Sequence, residues 1–182
     1  MSFFPLSITS DLFDPNLCDL PPAKTAAKTL SSIIKQNISH IIFLLKNYMD
    51  LEVLKIASNT DNNKFISDHT HISKHKNPLC GDEMEITLKV KNKKILDFGY
   101  QCKSCIYCQA SVSLLSRKSI NKEIKKINEL IELVKNFFIN DNVKFKNDWL
   151  SFAKLFKKDN ISRKECLMLP FNALLKITKD IK

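Results

Sequence analysis

Hydrophobic residues recur at two different periods along this chain, and the switch between them separates its parts. From Ala26 to about Met49, Leu30, Ile33, Ile34, Ile38, Ile41, Ile42 and Leu45 repeat at helical spacing and give one apolar face. Leu51 to Ala57 either extends that helix or starts another. Ser58 to Lys76 is polar, rich in Asn, Asp and His, and reads as a loop. The period then falls to two. Met84, Ile86, Leu88 and Val90 alternate with Glu85, Thr87 and Lys89, the pattern of a half-buried strand. Lys91-Asn92-Lys93-Lys94 makes a polar turn, and Ile95 to Tyr100 returns as a second strand. An antiparallel hairpin follows, and its open end brings Cys80 and the Cys102/Cys105 pair to one edge.

After Cys105 the pattern is helical again. One helix is expected over about Ile106 to Ser116, and another over Ile120 to Asn140 with Ile124, Ile127, Ile131, Val134 and Phe138 inside. A third is expected over about Phe145 to Lys158. The last opens with Ser162-Arg163-Lys164-Glu165, a capping box, and turns Leu167, Phe171, Leu174, Leu175 and Ile177 to the core. Pro5, Pro15, Pro21 and Pro22 make residues 1–25 an irregular arm. The expected class is α+β: a small antiparallel β-sheet, with the hairpin as its core, packed against several α-helices. Residues 1–75 form an N-terminal arm and helical extension, and residues 76–182 form the domain.

With 182 residues, 44% of them hydrophobic, the chain suits one domain with an appendage. Its longest apolar run, Ile41 to Leu45, is far short of the ~20 residues a membrane span needs. The N-terminus lacks a secretory pattern, and Asp11, Asp14 and Asp19 argue against a transit peptide. A cytoplasmic location without membrane contact is expected, so the six cysteines read as free thiols or metal ligands. The net charge of +10 rests on lysines scattered through predicted helices, which reads as solvated helix faces. Only Gly81 and Gly99 occur, so phosphate-cradling glycine loops are absent.

The chemistry concentrates around those glycines. Cys80 and Asp82 precede the first strand, Cys105 follows the second, and Cys166 stands near the start of the last helix. Three sulfurs and a carboxylate from separate elements suit iron or zinc. With Ser162 as N-cap, Cys166 falls in the first helical turn; Ser104 would place Cys105 likewise. Both thiols are then expected to be acidic. Cys102, Cys105 and Cys108 make a C-x2-C-x2-C run, in which Cys102 and Cys108 either join a site or simply pack. Cys18 reads as an ordinary thiol. His69, His71 and His75 read as solvated residues, with a second metal site as the alternative.

These residues resemble a known family. Asn77-Pro78-x-Cys80-Gly81-Asp82, the alternating strand, Ile95-Leu96-Asp97, and Cys105 followed by Gln109-Ala110-Ser111-x-Ser113 are similar to the iron–sulfur cluster scaffold family of NifU, IscU and SufU. Arg163-x-x-Cys166-x-x-Leu169-Pro170-Phe171-x-x-Leu174 resembles the third-cysteine motif of the SufU-like branch, as does the long spacing from Cys105. The IscU branch has a shorter connection and a histidine where Glu165 stands. The resemblance covers about residues 76–180.

It implies an IscU/SufU-like fold with Cys80, Asp82, Cys105 and Cys166 on the four ligand positions, holding iron or a transient [2Fe–2S] cluster, with zinc as the alternative. The implied partners are a cysteine desulfurase, whose persulfide sulfur Cys80 accepts, and a downstream apo-protein or carrier that takes the cluster. Such a protein is a scaffold and at most a sulfurtransferase. Rival readings are a zinc-dependent sulfurtransferase without a cluster, a zinc-stabilised nucleic-acid-binding module, and a metal-free interaction protein. The chain departs from the family pattern in three places. Cys102 and Ser104 replace a Gly-x-Gly, Cys108 stands where serine is common, and residues 1–75 lack a His-x-x-Asn-Pro element.

Overall fold

The computed structural model describes Ser31, residues 34–38, 50–140 and 143–181. The chain divides into two units, Met1–Tyr48 and Met49–Lys182. In the first, Ser31 and residues 34–38 are helical, within the span expected to form the first amphipathic helix. The irregular arm of residues 1–25, with Cys18, lies outside the described residues. The division falls between Tyr48 and Met49, and the segment before the hairpin belongs to the second unit.

That segment begins with helix α1 (Leu51–Ala57). The extended Asp50 caps it, its carboxylate accepting the Glu52 N–H at 3.0 Å, so α1 starts a helix of its own. The expected loop from Ser58 to Lys76 is only partly a loop, since His71–Lys76 forms strand β1. It pairs antiparallel with β2 (Glu83–Lys91), from His71 opposite Leu88 to Lys76 opposite Glu83. Its only buried side chain is the polar Ser73, while Ile72 faces out, so no apolar alternation announces it. Backbone pairing, not side-chain burial, makes this an edge strand. β3 (Lys94–Lys103) completes the sheet in the order β1-β2-β3. The turn between β2 and β3 carries Asn92 and Lys93 at φ 52° and 57°, the double positive that two-residue hairpins favour.

Helices α2 (Ile106–Ser119) and α3 (Ile124–Phe137) lie close to expectation. The expected helix over Phe145 to Lys158 is instead a 3-10 stretch, Asn147–Lys154, followed by a second, Lys158–Arg163. Phenylalanine packing holds this region: Phe137, Phe145, Phe152, Phe156 and Phe171 form a ring cluster with centroids 5.5–6.3 Å apart. The final helix, α4 (Lys164–Asp180), starts later than its expected capping box. Ser162 lies in the 3-10 turn, Arg163 is the N-cap, and no side chain caps the helix.

The core joins Ile86, Leu88, Ile95 and Phe98 of the sheet to Leu115 of α2, Ile127 and Ile131 of α3, and Leu167, Phe171 and Leu174 of α4. The chain between α1 and β1 crosses the sheet so closely that only glycine fits at position 99. A Cβ there would stand 2.6 Å from the Lys64 carbonyl oxygen and 2.7 Å from Thr87 Oγ1. The Tyr100 N–H donates to the Asn62 carbonyl at 3.0 Å beside it, so that backbone has little room to yield. Gly99→Ala should cost about 1–3 kcal/mol by overpacking. Urea unfolding of the two proteins measures this, and an unchanged midpoint would mean that the crossing segment moves freely.

Candidate metal centre

The centre is assembled at the sheet end where β1 turns into β2. Asn77 organises that connection from inside: its N–H donates to the Asp82 carbonyl at 2.8 Å, and its carbonyl accepts the Gly81 N–H at 2.9 Å. Its side-chain oxygen accepts the Leu79 N–H at 2.9 Å. Gly81 sits at φ 75°, in the left-handed region, which closes the loop. Cys80 is thereby exposed at the tip, while Asp82 is turned inward and buried.

Asp82 also reaches the third strand's end. Both of its carboxylate oxygens lie 3.3 Å from the Cys105 N–H. Cys105, with an extended backbone, is itself the N-cap of α2 and makes no side-chain capping bond. The expected Ser104 cap is therefore not formed; the carboxylate supplies an acceptor from another loop. Nothing in the sequence pattern announces this bond. Cys166 comes in from the far side as the third residue of α4. The Ser111 hydroxyl of α2 donates to the Leu167 carbonyl of α4 at 2.7 Å, tying the start of α4 to the helix that begins beside Cys105.

The result is one convergent set. Ligand atoms of Cys80, Asp82 and Cys166 all lie within 4.8 Å of one another. Cys105 adjoins the set without being part of it, held by Asp82 through its N–H and near enough to Cys166 to help push that thiol's pKa up. Sulfurs bound to one tetrahedral zinc at about 2.3 Å stand about 3.8 Å apart, so closing on an ion asks for a contraction of at most about an ångström. The donor set fits such an ion.

The acidic thiol expected at the start of α4 is not what the surroundings produce. Burial pushes the Cys166 thiol up to about 12, followed by the hydrogen bond and charge of Cys105, then the charges of Cys80 and Asp82. An uncapped helix end does not outweigh that crowding of potential anions. A bound cation would relieve it.

The remaining candidates separate clearly. Cys108 is fully buried in the core, and burial first of all drives its thiol upward. Cys102 is half-buried and also raised, chiefly by burial. The histidines go elsewhere: His69 Nδ1 bonds the Ile66 carbonyl at 2.7 Å, and His71 Nδ1 bonds Thr70 Oγ1 at 2.8 Å. Burial, then Lys176, lowers the pKa of His75. Among the described residues, Cys80, Asp82 and Cys166 are the one set of three or more metal-ligating side chains brought together.

Comparison with known proteins places this geometry in context. The profile of the NifU-like N terminal domain family matches residues 48–148, reaching back through α1 beyond the 76–180 resemblance and stopping short of Cys166. The iron–sulfur cluster assembly scaffold protein IscU of Thermotoga maritima is 30% identical over 118 residues, which are 64% of this chain and 82% of that protein. The N-terminal part of a nitrogen-fixing NifU-like protein from Brucella abortus superposes with a TM-score of 0.66 at 18% identity, over 76% of this chain and 96% of that one. A putative iron–sulfur cluster assembly scaffold protein for the SUF system from Fervidobacterium islandicum gives 0.65 at 20% identity, over 71% and 96%. These two likenesses concern the fold.

Proposed function

The chain belongs to the NifU-like N-terminal domain family, and from that premise we propose that it is an iron–sulfur cluster assembly scaffold whose site is Cys80, Asp82, Cys105 and Cys166. The observation that carries this reading is the convergence of Cys80, Asp82 and Cys166 ligand atoms within 4.8 Å, with Cys105 beside them. Its cargo is iron and then a transient [2Fe–2S] cluster. The implied partners are a cysteine desulfurase that supplies sulfur and an apo-protein or carrier that removes the cluster. The proposed place of work is the cytoplasm; among the described residues no helix is long and apolar enough to cross a membrane.

Each residue has a distinct task. Cys80, exposed on its loop, takes sulfur from the partner's persulfide by thiol exchange, which forms its own persulfide and frees the partner's thiolate. Cys105 and Cys166, half-buried on two helix starts, form the inner wall. Asp82 contributes one oxygen among thiolates, and that oxygen is shared with the Cys105 N–H. A hard, already hydrogen-bonded ligand holds a sulfide-bridged cluster weakly and leaves an exchangeable corner.

Asp82→Ala should therefore lengthen the lifetime of a cluster reconstituted anaerobically with iron and sulfide by roughly tenfold or more. Decay of the visible absorption in the presence of a chelator measures it. An unchanged or shorter lifetime sinks this role for Asp82. The same change removes the acceptor at the start of α2 and should cost about 0.5–2 kcal/mol of stability, which circular dichroism during unfolding keeps separate.

A second reading is a zinc-dependent sulfurtransferase partner of the desulfurase that never carries a cluster. The donor set itself favours it, since three sulfurs and one oxygen suit tetrahedral zinc. Zinc, when bound, would keep these thiols deprotonated and within reach of an incoming persulfide. Metal and acid-labile sulfide analysis of anaerobically purified protein decides: iron with sulfide supports the scaffold, and zinc retained through reconstitution supports the transferase.

A further inference from the structure

The start of α4 breaks a local rule. Arg163 is its N-cap and Lys164 its first residue, so two cations stand at the positive end of a helix that no side chain caps. Each is set over an aromatic ring of another element. The Arg163 guanidinium carbon lies 5.4 Å from the centroid of the Tyr107 ring in α2, and Lys164 Nζ lies 5.7 Å from that of Phe138, the C-cap of α3. The contact with Tyr107 has a partner one turn further on. Tyr107 and Ser111 are four residues apart on α2, as Arg163 and Leu167 are at the start of α4, and Ser111 Oγ donates to the Leu167 carbonyl at 2.7 Å. Two rungs therefore join these helices. The inner rung is a buried hydrogen bond, and the outer one pairs a half-buried ring with an exposed guanidinium.

The outer rung sits at the metal centre's level of both helices. Tyr107 follows the N-cap Cys105 by two residues, and Arg163 precedes Cys166 by three. Cys80, Asp82 and Cys166 already converge, whereas Cys105 stands beside them, so its entry depends on how closely the two helix starts approach. We propose that Tyr107, acting through Arg163, is a positioning residue that draws Cys105 into the centre with Cys166. The inference rests on the metal-centre reading. A leucine at position 107 would fill space equally well but would offer the guanidinium no ring face, and the ring needs no hydroxyl for this purpose.

The test uses the full chain, reduced and free of oxygen, with cobalt(II) as the probe. Tyr107→Leu and Arg163→Gln should each weaken cobalt binding about two- to fivefold, which is about 0.5–1 kcal/mol at about 1.4 kcal/mol per tenfold. Each should also lower the thiolate-to-cobalt charge-transfer absorption per bound ion, because one sulfur fewer is engaged. Tyr107→Phe should keep the wild-type affinity and spectrum. The double variant Tyr107→Leu/Arg163→Gln should be no weaker than either single one, since both remove the same contact. Additive losses, a charge-transfer band of wild-type intensity in either single variant, or a Tyr107→Phe protein as weak as Tyr107→Leu overturns the proposal. Should Tyr107→Leu fail to fold by circular dichroism, Arg163→Gln, altered at an exposed side chain, decides with Tyr107→Phe. A wild type that binds no cobalt would overturn the metal-centre reading instead. The rung is then read in the metal-free protein from the rate at which iodoacetamide alkylates Cys105, expected to rise in Arg163→Gln and to stay unchanged in Tyr107→Phe; equal rates in all three proteins overturn it.

Discussion

Cys166→Ser should strip the centre of metal. Altering a group that merely supports a ligand costs about 10–100-fold in metal affinity, so removal of a thiolate ligand should cost about 100-fold or more. Zinc competition against a chromophoric chelator measures it. The expectation follows from position: Cys166 is the member of the set supplied by α4, whereas Cys80 and Asp82 come from one loop. Without it, the carboxylate and one exposed thiol are left, with Cys105 tethered beside them. An affinity within a few-fold of wild type would place Cys166 outside the site and leave Cys80, Asp82 and Cys105 as the ligands.

The pH dependence has a definite sign. Burial and the neighbouring thiols and carboxylate hold the Cys166 proton on, with a pKa pushed up to about 12, so the metal must displace it. Affinity in the wild type should rise with pH across the neutral range and fall on acidification. In Cys166→Ser that slope should be shallower, because one fewer proton is released.

Phe152→Ala should remove a large part of the domain's stability. The Phe152 ring is fully buried among Phe145, Trp149, Phe156 and Phe171, with centroids 6.0–6.3 Å away. Truncating a buried phenylalanine typically costs about 3–5 kcal/mol, against a total of about 5–15 kcal/mol for a whole domain. The segment that carries it is a 3-10 helix, whose hydrogen bonds are poorer than those of an α-helix, so side-chain packing holds it. Urea unfolding followed by circular dichroism gives the loss. A change under about 1 kcal/mol would mean that residues 143–157 unfold independently of the rest. Because Phe152 also touches Phe171 of α4, the variant should loosen the helix that presents Cys166 and weaken zinc binding too.

Legibility in the sequence followed burial. α3 buries one helical face, from Ile124 through Ile127, Ile131 and Val134, and β2 turns Met84, Ile86 and Leu88 inward at every second position, so their apolar residues repeat at the period of the element. β1 is held by backbone hydrogen bonds at an edge and buries only a serine, so its residues look like a loop. The region from Phe145 to Arg163 is rich in aromatic residues that a helical period can accommodate, yet it adopts 3-10 turns to seat those rings. The capping box at Ser162 is a local preference that this packing overrode, moving the start of α4 to Lys164. The candidate-site loop was readable because a compact Asn-Pro-x-Cys-Gly-Asp string contains its own instructions. The asparagine supplies the turn hydrogen bonds, and the glycine supplies the left-handed residue.

By itself the sequence determined the donor chemistry: sulfur and carboxylate at the mouth of a hairpin and a further sulfur near a late helix start. Only the tertiary structure decided how those donors and the spare thiols are distributed. The three-residue steps from Cys102 to Cys105 to Cys108 look equivalent on paper, but they cross from a strand end through an N-cap into a helix. One thiol is consequently left half-buried at the end of the sheet, one at the N-cap beside Asp82, and one sealed in the core. Asp82 is tied to Cys105, and Cys166 is brought alongside Cys80, by contacts between segments far apart in the chain. Such contacts leave no period in the sequence, because each depends on how whole elements pack rather than on the residues next to it.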